Sequence, residues 1–164
     1  MRPFTAPLLA LLLVPGLASA SEVVRHKLSG GSTFPILAAV EVPAGKTTVY
    51  LSGMVPTPAN ADAGKDVPAV YGDTQAQTLS VMNVIKTQLE SIGLTIGDIV
   101  KMQVFLVGDP AKEGKMDFGG FMQGYSQFFG TAEQPNLPTR STMQVAALVN
   151  PAYLVEIEVT AVRP

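Results

Sequence analysis

The chain has 164 residues, with 11 lysines and arginines against 13 aspartates and glutamates, one histidine and no cysteine. A net charge of −2 supplies no basic footprint for nucleic acid or an anionic membrane. Without cysteine there are no disulfides, and a single histidine (His26) cannot build a His/Cys metal site, so no such metal centre is expected.

The chain opens with MRPFTAPLLALLLVPGLASA. A basic start at Arg2, an apolar run from Leu8 to Val14 and Ala18-Ser19-Ala20 make the pattern of a secretory signal peptide. The run is far shorter than the ~20 residues a spanning helix needs. The expectation is cleavage after Ala20, a periplasmic protein with no stable membrane anchor, and one domain over residues 21–164.

Glu22 to Lys27, Ala38 to Val42 and Thr47 to Gly53 read as short strands. A loop with three prolines follows, MVPTPANADAGKDVPAVYGD. Asp73 is a good N-cap for a helix with Leu79, Met82, Ile85, Leu89 and Ile92 at helical spacing, stopped by Gly93. GDIVKMQVFLV holds a central strand, Ile99 to Val107. After the loop Gly108 to Lys115, Asp117 can cap a second helix running to Gly130. Its Phe118, Phe121, Met122, Tyr125, Phe128 and Phe129 form an aromatic stripe, at a spacing that predicts a core face rather than a ligand box. Ser141 to Leu148 and Tyr153 to Val162 are predicted as a closing hairpin. The whole is an α+β fold with two helices on one face of a sheet of five or six strands.

Alternation in the central strand puts Ile99, Phe105 and Val107 on one side, with Val100, Met102, Val104 and Leu106 on the other. A strand apolar on both faces needs both covered. Two helices cover one, so a second copy of the chain is expected on the other.

No G-x-S-x-G elbow, G-x-G-x-x-G turn or Walker-type loop occurs. What remains is a set of charges in an otherwise apolar end: Arg140, Glu156 and Glu158. Alternation places both glutamates opposite the helix-facing Val155, Ile157 and Val159. Two readings stand: a structural ion pair, or a cleft in which arginine grips a carboxylate and glutamate handles protons or water.

The blocks SGMVP (Ser52 to Pro56), GDTQAQT (Gly72 to Thr78), DIVKMQVFL (Asp98 to Leu106), YSQFFG (Tyr125 to Gly130), PTRSTMQVAAL (Pro138 to Leu148) and VEIEVTAV (Val155 to Val162) occur in that order. In them the chain resembles the RidA (YjgF) family of reactive imine and enamine deaminases. The resemblance implies a chorismate-mutase-like mixed sheet assembled as a homotrimer, with clefts for a small carboxylate ligand between subunits and no cofactor. It implies Arg140 as the substrate-binding residue. Glu156 and Thr142 become the catalytic positions, Thr142 through its backbone beside the water, and Glu158 a structural or interface residue. The implied reaction is cofactor-free hydrolysis of 2-imino or enamine acids to 2-keto acids and ammonia; the alternative is a non-catalytic trimeric protein that binds small carboxylates. The sequence departs from the family pattern at FPI, where Ile36 replaces a tyrosine, and at Met122, where an asparagine is common. The loop Gly108 to Lys115 is also extended.

Overall fold

The computed structural model of the protein describes residues 22–61 and 70–164. The signal-peptide stretch and the middle of the proline-bearing loop lie outside them.

A four-stranded mixed sheet forms the centre. Its strands are β3 (Thr48–Met54), β4 (Ile99–Val107), β5 (Thr139–Val145) and β6 (Val155–Val162), in the order β3-β6-β4-β5. β6 is antiparallel to both neighbours, while β4 and β5 run parallel. β1 (Val24–Lys27) and β2 (Leu37–Glu41) pair in a separate small antiparallel sheet. The expected single sheet of five or six strands is therefore four plus two.

Helix α1 (Thr74–Ser91) begins where the sequence predicts. The Asp73 carboxylate accepts from the amide of Ala76 at 2.8 Å, and Gly93 leaves the helix with φ +74°. Its most buried face holds Thr78, Val81, Met82, Ile85 and Leu89, so the face is rotated slightly from the one expected. Helix α2 (Phe118–Tyr125) is capped by Asp117, which accepts from Gly120 at 3.0 Å. It ends five residues before Gly130. Beyond Tyr125 the amides of Gln127 and Phe128 bond three residues back, to Gly124 and Tyr125, which tightens the chain into turns. Both helices pack on one face of the sheet. The core there joins Val81, Met82, Ile85 and Leu89 to Phe121, Tyr125 and Phe129, and these to Met102, Val104, Leu106 and Ile157. The expected α+β arrangement holds.

Two expectations are corrected. β5 and β6 do not form a hairpin, because β4 lies between them. A parallel β4–β5 pair satisfies the same apolar pattern, and the turn residues around Asn150 serve a crossover past the end of β4. Ile99 also faces the helices rather than away from them. A register irregularity between Ile99 and Lys101 breaks the alternation, and Ile99, opposite Ala161, is fully buried in the core.

Candidate functional site

Strand β5 aims its candidate side chains through its register with β4. Arg140 lies beside Met102, Thr142 beside Val104 and Gln144 beside Leu106. Those three β4 residues are fully buried toward the helices. In-register neighbours point the same way, so Arg140, Thr142 and Gln144 face α2.

There Arg140 meets four aromatic rings. Its guanidinium carbon lies 4.3 Å from the ring centre of Tyr125, 5.0 Å from Phe121, 5.5 Å from Phe34 and 5.9 Å from Phe118. The predicted aromatic stripe is core, as expected, and three of its rings also surround a cation. Nη2 donates to the Met122 sulfur at 3.3 Å, whereas Nη1 is buried with no partner. Among the described residues no carboxylate pairs with this arginine. Burial lowers its pKa, partly opposed by Tyr125. Burial also pushes the Tyr125 hydroxyl up to about 12 against the pull of the guanidinium, and that hydroxyl donates to the Pro35 carbonyl at 2.8 Å.

A ring face offsets part of the cost of dehydrating a cation, up to ~2 kcal/mol where water is excluded. A buried donor left without an acceptor costs about 1–3 kcal/mol. Two residues on, the Thr142 hydroxyl is likewise buried and unpartnered. Two unsatisfied polar groups on one face of one strand are what an incoming anionic acceptor would satisfy.

A second half-buried arginine makes the contrast. Arg25 on β1 donates to the carbonyls of Ile99, Gly97 and Leu137. Burial lowers its pKa too, with Asp98 pulling the other way. Its donors are occupied, and it ties the small sheet to the large one. His26 lies on β1 with Nε2 2.7 Å from Glu41, both exposed, which agrees with the surface role expected of it. No group of three or more His, Cys, Asp or Glu suited to a metal occurs among the described residues.

Glu156 is placed differently. It stands opposite Phe105 on β6 and points away from the helices, because Val155 and Ile157 on either side are buried in the core. Its carboxylate lies across Gly53 of β3, where a Cβ would collide with Oε1. Within one protomer, then, Arg140 and Glu156 occupy opposite faces of the sheet. Glu158, opposite Gln103, shares the Glu156 face and lines a depression of ≈ 330 Å³ with Tyr50, Lys101 and Thr160. Among the described residues, neither glutamate pairs with Arg140.

The extended loop serves the site indirectly. Asp109 caps its first turn by accepting from Ala111, and its amide bonds the Lys115 carbonyl at 3.0 Å. Gln144 then straps the loop to β5, accepting from the Met116 amide and donating to the Gly114 carbonyl, both at 3.0 Å. This delivers Asp117 to the N-cap of α2 and Phe118 to its place beside Arg140. Sequence reasoning missed three contributors: Phe34, Tyr125 as an arginine neighbour, and Gly53 as the seat of Glu156. The FPI and SGMVP blocks contain two of them, but only the fold shows what they touch.

Comparison with known proteins adds to this geometry. The profile of the family described as Endoribonuclease L-PSP matches residues 32–163. A RutC family protein of Haemophilus influenzae is 32% identical over 143 residues, 87% of this chain and 98% of that protein. A 2-iminobutanoate/2-iminopropanoate deaminase of Escherichia coli K12 is 35% identical over 115 residues, 70% of this chain and 79% of that protein. Among solved structures, E. coli TdcF with bound serine is 31% identical with a TM-score of 0.57, covering 82% of this chain and 92% of that one. The Rid family protein YyfB from Yersinia pestis has a TM-score of 0.61 at 25% identity, covering 84% and 97%.

Proposed function

Because the chain belongs to the RidA (YjgF) family, a family of the reactive-intermediate-deaminase kind, we propose that it hydrolyses small 2-imino or enamine acids without a cofactor. The reading rests on the desolvated Arg140, which has an unpaired Nη1 and no carboxylate partner among the described residues. A substrate carboxylate would accept from Nη1 and displace the weak Met122 sulfur acceptor from Nη2, giving the bidentate pair that guanidinium geometry favours. Water adds to the C=N carbon, and the resulting tetrahedral carbon expels ammonia to leave the 2-keto acid. Thr142 would hold the water. Glu156 of a neighbouring copy would move its proton, because in its own protomer it faces the wrong side of the sheet. Positioning alone supplies part of the rate.

The site therefore requires an oligomer, and we take it to be the homotrimer the family resemblance implies. We also propose that the protein is exported, on the pattern of residues 1–20. Intact mass of periplasmic protein tests this, and a species retaining Met1 would count against it.

The alternative is a binding protein for small carboxylates that lacks turnover. Met122 favours it, since a thioether stands against the guanidinium where an amide could bond a ligand. Ribonuclease action, the activity in the family profile's description, finds little support: the chain's single histidine is surface-paired with Glu41. The deciding assay is ammonia release from freshly generated 2-aminoacrylate. Wild type should exceed the spontaneous rate and Arg140→Ala should not. Equal rates with and without wild-type protein would leave only the binding reading.

A further inference from the structure

The side chains recorded around Arg140 are four aromatic rings and one thioether, and their one hydroxyl is committed. The Tyr125 hydroxyl is held by the Pro35 carbonyl. The free groups are Arg140 Nη1 and the Thr142 hydroxyl. Around them are hydrocarbon and sulfur: Phe34, Phe118, Phe121 and Met122.

Phe34 is the informative one. It is 40% exposed, yet its ring lies 5.5 Å from the guanidinium carbon and stacks on Phe118 at 6.5 Å and 18°. It therefore belongs both to the box around the cation and to the exposed surface. A large aromatic ring left partly in water beside an unpaired buried donor is a contact surface awaiting apolar area.

From this we infer, resting on the carboxylate-binding reading above, that the site selects 2-imino and 2-keto acids whose side chain is bulky and apolar, aromatic above all. Phe34 and Met122 are the specificity-determining residues. The carboxylate occupies Arg140, and the side chain packs on the exposed Phe34 ring and the Met122 thioether. An aromatic side chain gains both burial and ring–ring contact there. A hydroxyl- or carboxylate-bearing side chain would lose water without gaining a partner from these residues.

The test is calorimetry of the full-length folded protein with phenylpyruvate, pyruvate and 2-ketoglutarate, stable 2-keto acids that share the carboxylate. Wild type should bind phenylpyruvate at least tenfold more tightly than pyruvate, and 2-ketoglutarate no better than pyruvate. In Phe34→Ala the phenylpyruvate-to-pyruvate ratio should collapse by fivefold or more. Met122→Asn, a more conservative change in volume, should move the ratio toward 2-ketoglutarate. If pyruvate binds as tightly as phenylpyruvate, or both variants leave the ratios unchanged, the selectivity is overturned while carboxylate binding stands. If no 2-keto acid binds and Arg140→Lys makes no difference, the carboxylate reading falls and the selectivity with it.

Discussion

A guanidinium removed from water without a counter-charge has to be compensated by other means, and at Arg140 the rings of Tyr125, Phe121, Phe34 and Phe118 do this only in part. On the proposed reading, the unfilled Nη1 makes the residue a receptor rather than a strut. Lysine would keep the charge but lose the planar fork. Arg140→Lys should therefore weaken binding of a 2-keto acid by about 2 kcal/mol, roughly 30-fold, by calorimetry. Unchanged affinity would make the arginine structural. Beneath it, Tyr125 carries a second signature. Its hydroxyl is raised from 10.0 to about 12 in the fold. Below pH 10 both folded and unfolded chains keep the proton, and the contribution is fully present. Between about 10 and 12 only the unfolded chain releases it, so stability falls by about 2–3 kcal/mol across that window. Urea unfolding at pH 9 and pH 11.5 should show this loss in wild type and much less in Tyr125→Phe. At this scale the P-T-R-S block singled out Arg140 as a candidate. It could not identify the neighbours, because Phe34 and Tyr125 reach the arginine only through the packing of distant segments.

Elements announced by their ends were the easiest to read. Asp73 and Gly93 bracket α1 because a side-chain cap and a left-handed glycine are local signals, and β4 matches its predicted span, Ile99–Val107. Elements defined by their partners were not legible. The apolar alternation of β5 and β6 fits a hairpin as well as two strands separated by β4, and the register irregularity at Ile99 leaves no mark in composition. Gly124 lets α2 approach α1 so closely that a Cβ there would stand 2.7 Å from the Thr78 side chain. Gly124→Ala should push the helices apart and tilt the rings that surround Arg140. Overpacking of this kind costs about 1–3 kcal/mol, which should appear as a Tm lowered by several degrees together with weaker ligand binding. A Tm shift with affinity intact would mean that α2 moves without disturbing the box.

For the whole molecule, the decisive fact is the pair of faces. Arg140 looks toward α2, while Glu156 rests over Gly53 on the far side of the sheet, so no single protomer can bring both to one substrate. The far face also carries the half-buried Phe105 and Val107 of β4 beside Met143 of β5, which is 37% exposed, and among the described residues no strand pairs with the outer edges of β3 and β5. Apolar area on an uncovered face and open edges both favour association with further copies. Light scattering should give three times the protomer mass, and a stable monomer at micromolar concentration would remove the composite site. A sharper measurement uses two dead variants. If each cleft takes Arg140 from one protomer and Glu156 from the next, Arg140→Ala and Glu156→Gln proteins should each fail to release ammonia from 2-aminoacrylate. Unfolded together in equal amounts and refolded, they should regain activity, because some clefts then combine an intact arginine with an intact glutamate. Random assortment around a closed three-membered ring makes about one cleft in four complete, so about a quarter of wild-type activity is expected. If wild type is active and each variant is dead, a mixture that stays dead would place both residues in one protomer's cleft, against the opposed faces of the sheet.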